Sequence, residues 1–194
     1  MKYINPKIES SYYKNNLGKV LYDEVLKSNA KEIVDMGILN GYSSVCLAMA
    51  AKQTGGHVYA YDIFEDYPYN NSKKEIVFKN LKKYDVLDVV TVKKLSIDEW
   101  IKLDQYFDLL HVDISNTGET IEKLHSAFCK YVPNKRRILF EGGSLERDTC
   151  EWMVKYNMKK INDACVPFKV IAERVFKGED NLLYYPSISE LGIE

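Results

Sequence analysis

The chain has 194 residues, of which 46% are hydrophobic and 12% aromatic, so we expect one packed domain over residues 1–194. Its 27 Lys and Arg residues and 28 Asp and Glu residues leave a formal charge of −1, which excludes a general attraction for nucleic acid or for anionic membranes. The four cysteines show no CxxC spacing, and no apolar signal segment or membrane span is present, so we expect a reduced, cytoplasmic protein without a zinc site or a disulfide framework.

The first half of the chain alternates helices with short apolar strands. Helical spacing of apolar residues predicts a helix over 16–28, inside an N-terminal helical extension that covers 1–30. Short apolar runs predict three strands, over 31–37, 57–64 and 89–95. Helices are predicted between and after them, over 42–52, 72–84 and 96–103. Two capping boxes, Ser72 with Glu75 and Ser96 with Glu99, would start the last two helices.

The second half continues the alternation and ends in a hairpin. Strands are predicted over 107–114 and 136–143, and helices over 117–132 and 145–157. Two further strands, over 168–176 and 181–186, would be joined by a turn over 177–180. Strand then helix, repeated five times, predicts an α/β fold. We expect a doubly wound, mostly parallel, seven-stranded sheet, covered by helices on both faces and closed by an antiparallel C-terminal hairpin.

The segment DMGILNGYS, from Asp35 to Ser43, occupies the place where ligands bind in such sheets, beyond the carboxyl end of the first strand. Gly37 would let the chain turn, and Gly41 would let the backbone approach a bound group closely. The amides of Tyr42 and Ser43, which open a helix, could donate to an anion such as a carboxylate. The spacing is not G-x-G-x-x-G, so NAD and FAD are disfavoured.

Five segments carry a resemblance to a known family: DMGILNGYSS, AYDI, VVTVKKLSIDEW, FDLLHVDI and ILFEGG. Their order and spacing resemble those of class I S-adenosylmethionine-dependent methyltransferases. The chain is most similar to the small O-methyltransferases of the caffeoyl-CoA and catechol type, whose first motif typically reads acidic-x-Gly-x-x-x-Gly-Tyr-Ser. The resemblance covers residues 30–145, and it implies a Rossmann-like methyltransferase fold and S-adenosylmethionine as cofactor.

The resemblance also implies a role for individual residues. The methionine part of the cofactor would be surrounded by Asp35, Gly37, Gly41, Tyr42 and Ser43. Asp62 would accept both ribose hydroxyls, and Ile63 would lie against the adenine face. Ser96 and Ile97 would read the adenine edge, and Asp113 would face the methyl group. Two alternatives stay open, because Asp62 could instead cap a turn and Ser96 is also explained as a helix cap.

The fifth predicted strand departs from the metal-dependent members of that family. Those members bind a divalent cation through an Asp at the position of Asp113 and an Asp-Asn pair, where this chain has Glu141 and Gly142. At most two of the three protein ligands remain, so a catalytic metal is possible but not favoured. In a competing interpretation, Glu141 binds the ion bidentately with help from Asp148. The lysine that some members carry is Asn116 here, which cannot act as a base.

Few side chains could serve as a catalytic base. Asp113 and Glu141 end neighbouring predicted strands, so their mutual repulsion could keep one carboxyl group protonated in part and make it a usable base. We therefore predict that this pair is catalytic. His111 would lie deeper on the same face and His125 on the inner stripe of its helix, where structural roles are more common. His57 would start a strand at the opposite end of the sheet.

The methyl acceptor is expected to be a small molecule or a sugar, because the chain leaves little room for a substrate domain; a homodimer could complete the cleft. The aromatic segments 10–16 and 64–72 could form a lid, or their tyrosines could simply be exposed. Two other function classes stay open. A non-catalytic module that binds S-adenosylmethionine or assembles with a partner would explain the loss of the Asp-Asn pair, whereas the glycine spacing argues against a nucleotide-dependent oxidoreductase.

Overall fold

The structure, a computed structural model, describes residues 1–68, 71–128, 136–178 and 183–192 of the chain. The chain divides into two compact units, Met1–His111 and Val112–Glu194. Within the described part of the chain, no helix combines the length and the apolar character that crossing a membrane would require.

The first unit alternates helices and strands. Its helices are α1 (Gly18–Ser28), α2 (Tyr42–Thr54), α3 (Lys74–Lys83) and α4 (Ile97–Lys102). Its strands are β1 (Glu32–Met36), β2 (His57–Asp62), β3 (Val90–Lys94) and β4 (Leu109–Val112), the last of which ends at the first residue of the second unit. Each predicted strand and helix of this half is present, with ends that differ by a few residues.

The core of the first unit is built on parallel strands and on α2. β1 pairs in parallel with β2, and β2 pairs in parallel with β3. Every residue of α2 from Tyr42 to Ala51 is buried, because the helix carries Ala, Val, Leu and Met on nearly all sides. Parallel sheets are normally covered by such buried helices, which agrees with the predicted sheet covered by helices.

The second unit contains shorter elements. Its helices are α5 (Gly118–Phe128) and α6 (Glu151–Lys155). Its strands are β5 (Arg137–Glu141), β6 (Phe168–Glu173), β7 (Phe176–Lys177), β8 (Leu183–Tyr184) and β9 (Ser187–Leu191). β9 pairs antiparallel with both β5 and β6. The seven-stranded sheet has the order β3-β2-β1-β4-β5-β9-β6, and β7 with β8 forms a separate two-stranded sheet. This confirms the predicted α/β class and the doubly wound, mostly parallel sheet.

The last strand of the main sheet was not predicted. The predicted C-terminal hairpin is present as β7 and β8, in which Phe176 pairs with Tyr184, but most of the predicted strand 168–176 forms β6 and pairs with β9. The segment SISEL does not show the apolar pattern of a buried strand, because Ser187 and Ser189 are polar yet fully buried. The Ser189 hydroxyl donates to the carbonyl of Gly142 at 2.6 Å, so burial leaves it satisfied.

Two local predictions are wrong. The helix expected over 145–157 is broken at Cys150, whose φ of −62° and ψ of 150° are extended, so that a 3-10 turn and the short α6 replace it. The capping box of Ser72 does not form, because its hydroxyl donates to Asn40 Oδ1 at 2.6 Å and α3 begins two residues later. The capping box of Ser96 is present. Predicted positions 69–70, 129–132, 179–180 and 181–182 lie outside the described residues.

Candidate functional site

The loop after β1 has an unusual backbone conformation. Gly37, Leu39 and Gly41 all have positive φ, at 84°, 44° and 85°. Glycine adopts this region at no steric cost, but leucine does not, so the surrounding structure must stabilise the loop. The Gly37 amide donates to the carbonyl of Tyr61 at 2.9 Å, and the Gly41 amide donates to the carbonyl of Ile38 at 2.6 Å. The loop is therefore fixed to the end of β2.

Asp62 closes the same loop from the end of β2. Its Oδ2 accepts the amides of Ile38 and Leu39 at 2.8 and 3.0 Å, and its Oδ1 accepts the amide of Phe64 at 2.6 Å. Successive backbone amides in alternating conformations form a concave site that suits an anion. Here the Asp62 carboxylate is that anion. The turn-capping interpretation of Asp62 is confirmed, while its contact with a ribose stays a prediction.

Gly41 packs closely against α3. A Cβ at this position would lie 3.2 Å from Val77 Cγ1, and the positive φ adds strain. The neighbouring Asn40 accepts the Asn80 side-chain amide on its carbonyl at 2.9 Å and the Ser72 hydroxyl on Oδ1 at 2.6 Å. These contacts fix the loop against α3, and the contact of Gly41 with a cofactor stays a prediction.

Asp35 lies at the centre of a fully buried hydrogen-bond network. Its Oδ2 accepts the hydroxyls of Ser43 and Ser44 at 2.8 and 2.6 Å, and its Oδ1 lies 2.7 Å from His111 Nδ1. The carboxylate acceptor places a proton on Nδ1, and the other ring nitrogen lies 3.2 Å from the Tyr12 hydroxyl. His111 is thus the satisfied core histidine that the sequence favoured. The side chains of Asp35 and Ser43 join α2 to the sheet.

The N-terminal segment covers the start of α2. The Tyr42 hydroxyl donates to Asn5 Oδ1 at 2.7 Å, and its ring packs edge-on against Tyr12 and Tyr13. Burial raises the pKa of Tyr42. Any contact of Tyr42 with a cofactor would therefore use its backbone. The exposed-tyrosine interpretation is wrong for Tyr12, which is 1% exposed.

Ser96 caps α4, as the alternative interpretation held. Its hydroxyl accepts the Glu99 amide at 3.2 Å and donates to the Glu99 carboxylate at 2.7 Å. Ile63 and Ile97, the predicted adenine contacts, are both half-buried. His57 starts β2 and contacts the hydroxyl of Thr91, which agrees with its predicted position at the opposite end of the strand.

In the second unit, a buried arginine binds the carboxylate that ends β5. Arg147 Nε lies 3.1 Å from both carboxylate oxygens of Glu141, and Nη2 donates to Oε2 at 2.6 Å. Arg147 is only 7% exposed, and its guanidinium carbon lies 5.1 Å from the ring centroid of Trp152. Burial lowers the pKa of Arg147, but the charges of Glu141 and Asp113 raise it more, so the guanidinium stays charged.

Arg147 changes the electrostatic environment expected for Asp113 and Glu141, the two carboxylates predicted to act as a catalytic base. The repulsion expected between Asp113 and Glu141 is offset by a cation that contacts one carboxylate and lies within the field of the other. The predicted repulsion did not include this cation, and the catalytic role of the pair stays a prediction. The sequence signal for this arrangement is Gly142, whose φ is 106°. A Cβ there would lie 3.3 Å from Arg147 Nε and 2.6 Å from Ile161 Cδ1, so glycine makes room for the guanidinium.

Asn116 joins the ends of β4 and β5. It is fully buried, and its Nδ2 donates to the carbonyls of Val112 and Glu141, each at 2.9 Å. Some relatives carry a lysine at this position, whereas Asn116 has a structural role here. His125 is half-buried on α5, and its Nε2 is buried without a hydrogen-bond partner among the described residues.

Comparison with family models decides the family. A model described as a methyltransferase domain matches residues 34–141, which include Asp62, Asp113 and Glu141. The chain belongs to this methyltransferase family.

Solved structures with methyltransferase folds agree with this assignment. An O-methyltransferase from Bacillus cereus in complex with S-adenosylhomocysteine is 19% identical, with a TM-score of 0.62 over 97% of this chain and 84% of that one. The O-methyltransferase TomG from Streptomyces achromogenes, in complex with S-adenosylmethionine, is 16% identical, with a TM-score of 0.60 over 96% and 82%. A precorrin-6y C-methyltransferase from Geobacter metallireducens is 16% identical, with a TM-score of 0.58 over 97% and 91%. A search of curated proteins finds no match.

The residues of this methyltransferase do not fit the divalent cation of the metal-dependent relatives. Both oxygens of Glu141 are bound by Arg147, and Gly142 offers no side chain. Asp148, the suggested helper, accepts the amides of Ile161 and Asn162 at 3.1 and 2.9 Å. Across the described ranges, no group of three or more His, Cys, Asp or Glu residues could hold a metal ion. We derive no catalytic step through a metal.

Proposed function

We propose that this methyltransferase transfers the methyl group of S-adenosylmethionine to an oxygen atom of a small molecule or a sugar. The match to the methyltransferase family over residues 34–141 carries the proposal. Neighbouring folds that hold S-adenosylhomocysteine or S-adenosylmethionine support the same cofactor here. Two of those neighbours are O-methyltransferases, which favours oxygen, although a C-methyltransferase shares the fold.

The ends of β1 and β2 carry the residues proposed to bind the cofactor, whose positively charged sulfur carries the methyl group. An ionised carboxylate can accept about four hydrogen bonds, and Asp62 already accepts three. We therefore assign one ribose hydroxyl to Asp62, rather than the two that the resemblance implied. The half-buried Ile63 and Ile97 would contact the adenine, and the backbone amides that open α2 would face the methionine carboxylate.

A carboxylate that follows β4 is the proposed proton acceptor. A hydroxyl must lose its proton when its oxygen takes a methyl group, so a base near the acceptor oxygen speeds the reaction. Both oxygens of Glu141 accept hydrogen bonds from Arg147, so they are less available to a substrate proton. We therefore assign the proton to Asp113, which follows β4 directly and is half-buried.

Turnover tests this proposal. The purified protein, incubated with S-adenosylmethionine and a panel of phenols, sugars and other hydroxyl compounds, should form S-adenosylhomocysteine and a methylated product that mass spectrometry detects. Asp113→Asn should lower turnover by about a hundredfold or more, as loss of a general base typically does. Asp163→Asn, at an exposed position of the same unit, is the matched control and should leave turnover unchanged.

We also expect turnover to survive chelation. Arg147 already neutralises Glu141, so EDTA should change the rate by less than about twofold. Loss of turnover with EDTA and its return with Mg²⁺ would show that the divergent segment is still a metal site. If no acceptor is methylated although S-adenosylmethionine binds, the non-catalytic module becomes the better interpretation, and the binding of Glu141 by Arg147 would support it.

A further inference from the structure

The N-terminal segment 5–13, which we call the strap, forms no helix or strand. Within the strap, the Asn5 side-chain amide donates to the carbonyl of Tyr13 at 3.1 Å, and the backbone amides of Ile8 and Tyr13 each close a short turn. A segment without regular secondary structure depends on contacts with the rest of the protein for its order. Such segments open locally at a lower free-energy cost than a core strand does.

The strap lies against the loop after β1 and the start of α2. The Tyr42 hydroxyl donates to Asn5 Oδ1 at 2.7 Å, and the Asn40 side-chain amide donates to the carbonyl of Glu9 at 3.5 Å. The Tyr42 ring also packs edge-on against the ring of Tyr12. The strap therefore contacts the segment whose backbone amides are proposed to bind the cofactor.

A further connection between the strap and α2 runs through buried side chains. The Tyr12 hydroxyl lies 3.2 Å from His111 Nε2. Because Asp35 accepts the proton of Nδ1, Nε2 is the acceptor and the Tyr12 hydroxyl is the donor. Asp35 also accepts the hydroxyl of Ser43, in the first turn of α2. When Tyr12 leaves, a buried acceptor of this network loses its partner, which is costly.

The loop after β1 needs support from its surroundings. Leu39 has a φ of 44°, a conformation that strains a residue with a Cβ and persists only where neighbouring structure enforces it. When the strap lifts away, the loop loses its contacts at Asn40 and Tyr42. Its backbone amides are then held less firmly. A cofactor that contacts this loop should therefore bind more tightly when the strap is in place.

We propose that the strap is a clamp on the loop after β1, and that docking of the strap and binding of the cofactor stabilise each other. The inference rests on the proposed function, because it requires that S-adenosylmethionine binds beside this loop. Coupling between two equilibria is reciprocal. The cofactor must therefore favour the docked strap by the same factor by which the docked strap increases the affinity for the cofactor.

The backbone amide of Lys7 reports whether the strap is docked. It donates to the side-chain hydroxyl of Tyr84, the residue that follows α3, at 2.7 Å. Hydrogen exchange at this amide, followed by NMR, measures how often the contact opens. In the free wild type, the Lys7 amide should exchange at least about tenfold faster than the buried amides of β1. Saturating S-adenosylhomocysteine should slow exchange at Lys7 by about tenfold or more.

Two variants test the connection through His111. Tyr12→Phe removes the hydroxyl that donates to His111 and keeps the ring, so it should speed exchange at Lys7 in the free protein by about fivefold, as the loss of one buried hydrogen bond predicts. Tyr13→Phe is the matched control. The Tyr13 hydroxyl makes no hydrogen bond to any residue that the structure describes, so this variant should exchange like wild type at Lys7.

The outcomes separate the inference from the function on which it rests. If calorimetry shows binding of S-adenosylhomocysteine but exchange at Lys7 does not slow, the strap is independent of the cofactor and the inference fails alone. It also fails alone if Lys7 exchanges as slowly as β1 in the free protein, because the strap then opens only when the whole unit unfolds. Equal exchange in Tyr12→Phe and Tyr13→Phe would overturn the connection through His111. If wild type does not bind S-adenosylhomocysteine, the proposed function itself fails.

Discussion

Asp62 holds two loops together through three backbone amides, so its proposed contact with the cofactor must be separated from this structural task. Asp62→Asn keeps the size of the side chain and one carbonyl oxygen, but it loses the charge. We expect it to weaken S-adenosylhomocysteine binding by about tenfold or more, because a hydrogen bond to a charged group contributes ~1.5–3 kcal/mol. Isothermal calorimetry measures this change.

Two comparisons show whether the effect comes from a ribose contact. Asp66→Asn removes an exposed carboxylate of the following 3-10 turn, which pairs with Lys94 at 2.8 Å, and should leave the affinity unchanged. Analogues of S-adenosylhomocysteine that lack one ribose hydroxyl should bind more weakly than the parent to wild type, but equally to Asp62→Asn. If wild type does not distinguish the analogues, Asp62 serves only the loop.

The role of an individual residue could be predicted where a short segment of sequence contains all the information that the role depends on. Asp62 ends β2 and Ser96 lies two residues after β3, and for both residues the functional and the capping interpretations were visible in the sequence. Arg147 was not, because its contact with Glu141 depends on a 3-10 turn six residues away and on the space beside Gly142. Gly142 stands where the metal-dependent relatives carry asparagine. The sequence therefore showed that the metal site had changed, but it did not show which side chain fills the space.

At the scale of the elements, periodicity predicted the strands and helices whose buried faces are apolar. It failed for β9, because two of its buried side chains are serines, which bond to the backbone of Ser144 and Gly142. It also failed around α6, where a helical pattern extends over 145–157 but Cys150 is extended. The spacing of hydrophobic residues does not detect buried polar groups whose hydrogen bonds are made by tertiary contacts.

Asp108 joins the amino-terminal ends of β1 and β4. Its Oδ2 accepts the amides of Lys31 and Glu32 at 2.8 and 2.9 Å, and its Oδ1 accepts the Tyr106 hydroxyl at 2.6 Å. Burial raises the pKa of Asp108, but these hydrogen bonds lower it more, so the net shift is downward. A carboxyl group with a lowered pKa in the folded state stabilises the protein above its unfolded pKa, ~3.9, and this stabilisation is lost as the pH falls through the folded value.

We therefore expect Asp108→Asn to destabilise the protein by about 1–3 kcal/mol at pH 7, and by progressively less below pH ~4. Urea unfolding of both proteins between pH 7 and pH 3 measures the difference in the free energy of unfolding. Asp104→Asn, at an exposed position before β4, should have no such effect. A difference that stays constant over this pH range would mean that the charge of Asp108 does not stabilise the junction.

For the whole molecule, the alternation of apolar strands and helices was sufficient to predict the sheet. Parallel strands need long crossovers, and α2 and α3 provide them between β1, β2 and β3. The loop after β1 was predictable as a site because ligands bind beyond the carboxyl ends of such strands. The glycines within it also make contacts with α3 and β2, and a single sequence cannot separate the needs of such contacts from those of a ligand.

The loop after β1 also predicts which cofactor the protein binds. A pyrophosphate would require free amides at the turn, but the amides of Ile38 and Leu39 already donate to Asp62. We expect S-adenosylmethionine and S-adenosylhomocysteine to bind in the micromolar range and NAD not to bind. At a concentration of about 100 times its Kd, S-adenosylhomocysteine should stabilise the folded state by ~2.7 kcal/mol and raise the Tm by about 5–10 °C.

Differential scanning fluorimetry with each compound, on protein freed of co-purified ligand, measures these shifts. NAD at the same concentration should leave the Tm unchanged and serves as the control for nonspecific effects of an adenine nucleotide. Adenosine alone should give a smaller shift than S-adenosylhomocysteine, because it lacks the carboxylate that the amides opening α2 are proposed to bind. A Tm that responds to NAD as strongly as to the sulfur compounds, or to none of them, would contradict the cofactor assignment, because mass action requires that any ligand selective for the folded state raise its stability.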